Sequence, residues 1–409
     1  MWNVFIRIKK RKVYQNFLLI LLLVGAVACD INQKEILPED GFLKIYNHPA
    51  EHLAYFPESL VELPGGGYVF LSAVKDENDE VEYPYTNLVR TTASGEVSWS
   101  LDFDWRAPAS QLVLLNGSVG FVAMNQNFDA FLILVNPANG EITSQHDLEM
   151  SMPLFAYADS QDKLVVLGYD FVTRSSWITK YSSSYQVERS NKLPVNTDLE
   201  YLVQRHLNKT GQDYPFFIGE YTNAPGTGYS VNCFYNYTLR TVFMEMTSLD
   251  ATGDIYSFQT EEGISSVIQK DGNIFGLTSY YEGNNYIVPA SELNVNTSAN
   301  IKDLPADPLY ELTYRAEVIP GNLDLDTASY TLFVSQTNDN SMVIYQYQKD
   351  TEVLVNTLYR QFDQRVVVNE VVQTADKGIV ILGGIYILGK YQRPLLIKLD
   401  QEAFLPEEE

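Results

Sequence analysis

The sequence predicts an all-β fold, a single β-propeller of about seven four-stranded blades. Short apolar runs alternate with Gly, Pro and Asn/Asp turns along the chain. One strand–turn template recurs at a spacing of about 52 residues. Twenty-eight Tyr and 20 Phe among 409 residues favour strands over helices.

The clearest copy of the template is residues 59–101. An apolar run at 59–63 turns through Pro64-Gly65-Gly66-Gly67 into Tyr68-Val69-Phe70-Leu71, and a polar loop follows. A third run, 87–91, turns at Ala93-Ser94-Gly95-Glu96 into a fourth, 97–101. Four such runs make one up-and-down blade. Second strands are expected to start near Tyr68, Gly120, Leu164, Tyr214, Asn273, Tyr330 and Gly378. Turns between third and fourth strands echo one another at Ser94-Gly95, Asn139-Gly140 and Thr252-Gly253. Glycine recurs because tight hairpin turns need a residue that accepts positive φ. Repeats four and six are degenerate, which leaves six or eight blades open.

The first 28 residues read as a leader. Arg7, Lys9, Lys10, Arg11 and Lys12 precede an apolar stretch at 17–28, too short for an ordinary membrane span. It ends in Ala26-Val27-Ala28-Cys29, small residues directly before a cysteine. Residues 29–41 are polar and acidic and read as a flexible tether, and 42–409 as the propeller. The last repeat lacks a fourth strand, because the chain ends in Pro406-Glu407-Glu408-Glu409. The unassigned run Phe42-Leu43-Lys44-Ile45-Tyr46 is expected to supply it and close the ring.

The formal charge is −24, or −29 without the leader's five cations. Such a surface repels phosphate backbones, so nucleic-acid partners are not expected. Cysteine is limited to Cys29 and Cys233. With Cys29 acylated, Cys233 has no disulfide partner and reads as a small buried apolar residue.

No catalytic residue is assigned. The histidines are His48, His52, His146 and His206, and no nucleophile elbow, P-loop or dinucleotide fingerprint is present. His48-Pro49-Ala50-Glu51-His52 matches the spacing of an inverted zinc-peptidase motif. That motif needs a helix, and Pro49 with strand-like flanks argues for a connector instead. No metal site or cofactor is assigned. Asp76-Glu77-Asn78-Asp79-Glu80, and Asp324 with Asp326, leave calcium as the alternative to solvated loop tips.

Tyrosine-rich loops are the remaining signal. Between second and third strands the expected loops carry Tyr83, Tyr85, Phe128, Tyr169, Arg174, Tyr221, Tyr229, Tyr280, Tyr281, Tyr286, Tyr386 and Arg393. In an up-and-down blade all such loops open on one face. The longest is expected in the fourth repeat, at 221–237. Tyr combines a flat apolar ring with a hydroxyl, which suits protein interfaces and sugar stacking. The alternative, equally open, is that these rings pack between blades.

On Ala26-Val27-Ala28-Cys29 and the repeats at 59–101 and 371–400, the chain resembles bacterial β-propeller lipoproteins of the Bacteroidetes outer membrane. The resemblance covers about residues 42–400. It implies a lipid on Cys29, and the acidic stretch at 30–35 resembles a signal for export to the cell surface. As function it implies an accessory subunit docked on an outer-membrane β-barrel complex. The alternative is a glycan- or peptide-binding surface lipoprotein, and an envelope hydrolase comes third.

Overall fold

Apolar runs separated by tight turns fold as the spacing demands. The computed structural model describes residues 33–37, 40–47, 52–76, 83–211, 213–223, 226–349, 351–387 and 389–405. Their pairing yields seven consecutive four-stranded antiparallel units, numbered as blades 1 to 7. Blade 1 is Leu53–Glu62, Tyr68–Asp76, Tyr85–Thr91 and the first half of Val97–Leu115. The second half of that strand opens blade 2, which continues with Ser118–Met124, Asp129–Val135 and Ile142–Ser151. Blade 3 is Pro153–Ala158, Leu164–Asp170, Ser175–Tyr181 and Val187–Pro194. Blade 4 is Phe217–Asn223, Gly226–Tyr235, Thr238–Glu245 and Ala251–Tyr256.

Gly263–Asp271, Ile274–Tyr281, Asn284–Glu292 and Asp307–Leu309 form blade 5. Ile319–Asp324, Ser329–Gln336, Ser341–Gln348 and Leu354–Gln361 form blade 6. Val366–Gln373, Ile379–Ile387 and Tyr391–Leu399 make blade 7, with Gly41–Ile45 as its outer strand. Each blade packs on the next, and the first strand of blade 1 packs on all three C-terminal strands of blade 7. The fold is an all-β propeller.

Burial follows strand position. Second strands such as Leu164–Asp170 are buried on both faces and read as continuous apolar runs. Outer strands such as Val187–Pro194 are mostly exposed and polar.

The N-terminal strand completes blade 7 and adds contacts to the seam. Gly41–Ile45 pairs antiparallel with Tyr391–Leu399, where the expected pairing of 42–46 places it. It also reaches blade 1: the Tyr46 hydroxyl donates to the Gly95 carbonyl (2.8 Å), and Lys44 pairs with Glu96 (2.6 Å). Gly95 has φ +77°, and a Cβ there would lie 2.7 Å from the Phe42 ring. Both the turn and the latch therefore require glycine.

Part of the expected tether is not free. Gln33–Glu35 pairs in parallel with Leu354–Gln361 of blade 6. Ile36 is buried beside this strand, and Arg360 donates to its carbonyl (2.7 Å). One apolar side chain and a short ladder are enough to dock an otherwise polar segment. The leader, Cys29, residues 48–51 of the histidine motif and residues 77–80 of the first acidic cluster lie outside the described residues. Among the described residues, no helix is long and apolar enough to cross a membrane.

Strand alternation gives the propeller two unlike faces. Loops between second and third strands, and connections from one blade to the next, open on one side, called the loop face. Turns between first and second, and third and fourth, strands lie on the turn face. The fourth repeat departs from expectation here. Tyr221 lies in its first strand and Tyr229 in its second, so 221–237 is largely a hairpin; the loop between second and third strands is only Asn236-Tyr237. Thr252 and Gly253 likewise sit in a fourth strand rather than a turn. The long excursion is instead the blade 3–4 connection, residues 195–216, on the loop face. It contains α1 (Glu200–Leu207), with Glu200 in its first turn, Arg205 and His206 in its last, and Leu202, Val203 and Leu207 buried.

Candidate functional site: the central channel and the loop face

First strands line the axis of the propeller, and several break their own alternation there. In blades 1, 3, 5 and 7 the register slips by one residue, leaving Glu58, Leu154, Ser265 and Asn369 unpaired in the ladder. Blade 2 slips around Ser110 and Gln111. A bulge re-aims a side chain out of the sheet pattern. These bulge residues all line an axial cavity of about 300 Å³.

An ionic cluster occupies this axis. Lys209 follows α1 and reaches Glu58 of blade 1 (2.7 Å), with both side chains under one-tenth exposed. Asp213 lies 3.5 Å from Lys209 and 3.3 Å from His206 Nδ1. The Lys75 ammonium donates to the Asn208 carbonyl (2.9 Å), tying the connection to blade 1. Burial raises the Glu58 carboxyl, with Lys209 opposing. Burial would raise Asp213 too, but Lys209 and the His206 hydrogen bond outweigh it and hold it at about 2. Asp213 faces water inside the channel, with its side chain 46% exposed.

Glu317, at the entry of blade 6, has no such compensation. Burial and the charge of Asp213 push it up to about 7, against Lys209. On the far wall Glu370 accepts from Leu60 N (2.5 Å) and Gln111 Nε2 (3.0 Å), and burial raises it as well.

Above this cavity, on the loop face, lies a wider mouth of about 560 Å³. Arg315 forms part of its wall, ion-paired with Glu261 and placed over the Tyr280 ring (5.0 Å) and the Tyr214 ring (5.5 Å). Arg365 lies over Tyr386 (4.8 Å). Glu317 and Asn369 border both the mouth and the deeper cavity.

Most aromatic residues singled out from the sequence are enclosed. Tyr169 is fully buried against Phe171. Tyr221 packs edge-on to Phe243 and Phe275. The Tyr229 hydroxyl donates to Asp159 (2.7 Å) and accepts from Lys180 (2.8 Å), joining blade 4 to blade 3. Tyr280 is buried beside Arg315, and Tyr281 stacks on Tyr286 at 3.8 Å. Arg393 is buried and donates to the Leu53 carbonyl, fastening blade 7 to blade 1. Packing between and within blades is the reading that describes these positions.

Others remain near the surface. Tyr83 is buried but carries Phe128 edge-on at 5.5 Å, and Phe128 is 37% exposed. Tyr85 is half-buried beneath Arg106, and Tyr386 is half-buried beneath Arg365. Arg174 is exposed and paired with Glu200 (3.0 Å). Cys233 is fully buried, and burial pushes its thiol up to about 12. Asp324 and Asp326 are each paired with a lysine, Lys349 and Lys377.

The exposed aromatics were mostly missed by sequence reasoning, which singled out only Phe128 and, within residues 221–237, Tyr237. Among the described residues these are Phe128, Tyr201, Tyr237, Phe258, Tyr310 and Tyr314. All six fall in loop-face connections of blades 2 to 6. Tyr201, Phe258, Tyr310 and Tyr314 lie between blades, not between second and third strands. Their signal in the sequence is an aromatic flanked by polar or turn residues without alternation, as in Ser257-Phe258-Gln259.

No protein-family model matches the chain, and no curated protein matches it. Among solved structures it is similar to the WD40 β-propeller domain of Doa1, at 9% identity and a TM-score of 0.47, covering 87% of this chain and 95% of that one. A chain of the mitotic checkpoint complex is similar at 8% identity and a TM-score of 0.46, with the same coverages. The Dos1 propeller is similar at 11% identity and a TM-score of 0.43, covering 83% of this chain and 77% of that one. Likenesses this distant carry no functional argument.

Proposed function

We propose that this chain is a lipid-anchored outer-membrane β-propeller that binds a protein partner through its loop face, as an accessory subunit of a β-barrel complex. The observation that supports binding is the segregation of exposed aromatics: all six lie on one face. Exposed aromatic side chains supply large contact area at low conformational cost and dominate many interfaces. A propeller scaffold fits this role, because its rigid ring presents many loops side by side. The anchor rests on Ala26-Val27-Ala28-Cys29 and the short apolar stretch before it.

Affinity purification from detergent-solubilised membranes, paired with fractionation of Cys29→Ala, tests the reading. The tagged chain should co-purify with an outer-membrane protein, and Cys29→Ala should leave the membrane fraction. A chain that purifies alone and fractionates identically without Cys29 overturns it.

A glycan- or peptide-binding role is the second reading. The mouth of the channel, lined by Tyr314, Tyr386, Arg365, Asn369 and Gln392, favours it.

A further inference from the structure

The channel mouth holds a carboxyl and a guanidinium that the protein leaves unmatched. Among the described residues, the Glu317 carboxylate takes no hydrogen bond or ion pair. The Arg365 guanidinium has only the Tyr386 ring. The other ions bordering this space are matched: Lys209 by Glu58 and Asp213, Arg315 by Glu261. Asn369, the bulge residue of blade 7, adds a buried Oδ1 without a hydrogen-bond partner.

Topology brings these groups together. Glu317 precedes the first strand of blade 6, and Arg365 precedes the first strand of blade 7. The two strands are neighbours on the axis, and both side chains border the same 560 Å³ space. They form no ion pair with each other at this spacing, so a carboxylate and a guanidinium stand apart across one cavity. Glu317 is partly buried, and leaving a carboxyl there unmatched is costly, while Arg365 is exposed and keeps its donors open to a ligand.

We propose that the channel mouth binds a short zwitterionic peptide, its terminal ammonium on Glu317 and Asn369 and its terminal carboxylate on Arg365. An ammonium has three donors for the acceptors of Glu317 and Asn369, and a guanidinium takes a carboxylate in a two-pronged geometry. The volume exceeds that of a single amino acid, and the partly exposed Tyr314 and Tyr386 rings offer apolar cover for intervening side chains. A neutral oligosaccharide would leave both charges unmatched. This site shares only Tyr314 with the exposed aromatics assigned to the protein partner, and Glu317 and Arg365 belong to the peptide site alone, so their variants test it independently of the partner.

The test is equilibrium dialysis of the full chain against an equimolar mixture of tripeptides with free ends, read by mass spectrometry. Titration calorimetry of the most retained peptide then compares its free, N-acetylated and C-amidated forms. Binding should fall at least tenfold on N-acetylation and in Glu317→Gln, and at least tenfold on amidation and in Arg365→Gln. Tyr314→Ala provides a second variant, exposed at the mouth, whose folding is not at issue; it should weaken every free-ended peptide alike. Retention of no tripeptide, equal binding of the capped forms, or preferential binding of maltotriose would overturn the proposal.

Discussion

The two faces of the propeller are held together by different means. On the turn face four of the described reversals are closed by their own backbone: Leu63 N to Gly67 O (2.9 Å), Thr92 N to Glu96 O (2.8 Å), Asp159 N to Lys163 O (2.9 Å) and Ser182 N to Gln186 O (2.8 Å). These segments are short, local and glycine- or serine-rich. On the loop face the longest connection is held by side chains from elsewhere in the chain, through Lys75 to Asn208 and Lys209 to Glu58. The same face carries the exposed aromatics and the unmatched ions of the channel mouth. Local backbone contacts close these turns, and side chains from distant blades hold the long connection of the other face.

The comparison breaks first at the seam that joins the faces. Deleting residues 41–45 removes a ladder of five paired residues and the packing of Phe42 and Leu43. About 5 kcal/mol should be lost, at roughly 1 kcal/mol per hydrogen bond plus apolar burial. Chemical denaturation should show one cooperative transition at a lower midpoint. An unchanged midpoint would mean that the ring closes without this strand.

Lys209→Met should come next. It leaves Glu58 buried without its cation, and breaking such a pair costs about 3–5 kcal/mol. Glu58→Gln with Lys209→Met should recover part of that loss, because no lone charge remains. If the single variant matches the wild type in denaturant, the axis does not depend on this pair.

A smaller effect should appear in pH dependence. Glu317 is raised to about 7 from an ordinary value of 4.5, so the folded state holds a proton that the unfolded state releases. Stability should therefore fall as pH rises from 4.5 to about 7, and level off above. Asp213, Lys209 and Glu58 face this carboxyl. Asp213 is held low and loses its contribution only below 3.8, outside that window. Glu317→Gln should remove the Glu317 share, making the variant about 3 kcal/mol more stable than wild type at pH 8 and equal to it at pH 4. Parallel stability curves for the two proteins would rule out the shifted carboxyl.

How much of this was legible depended on which contacts a segment uses. The turns at Gly65–Gly67, Gly95 and Gly272 are local, and the sequence displays them directly. The outer strand of blade 7 was legible because 42–46 is an apolar run that no repeat of the template claims. The fourth blade was misread because Tyr214-Pro215-Phe216 mimics the start of a second strand, whereas it ends a long connection. The channel was invisible for a physical reason: Glu58, Leu154, Ser265 and Asn369 reach the axis through register slips, which strict alternation does not foretell. Glu58, Lys209 and Glu317 come from two blades and a connection, so no spacing marks them. Tyrosine count pointed to the loop face, but most of the tyrosines chosen serve packing, and of the exposed ones among the described residues Tyr201, Tyr310 and Tyr314 lie between blades.

The faces themselves can be compared in one measurement. Phe258→Ala, Tyr310→Ala and Tyr314→Ala combined should change stability little, about 0.5 kcal/mol or less per site, because all three rings are exposed. Ser94→Ala with Asn139→Ala alters the turn face. Each variant and the wild type would be used to capture the protein proposed to co-purify with the chain, and its affinity measured by biolayer interferometry. Loss of at least about 2 kcal/mol of binding in the loop-face variant, with none in the turn-face variant, is the expected result. Full binding by the loop-face variant, or loss confined to the turn-face variant, would contradict the assignment of the partner to the loop face.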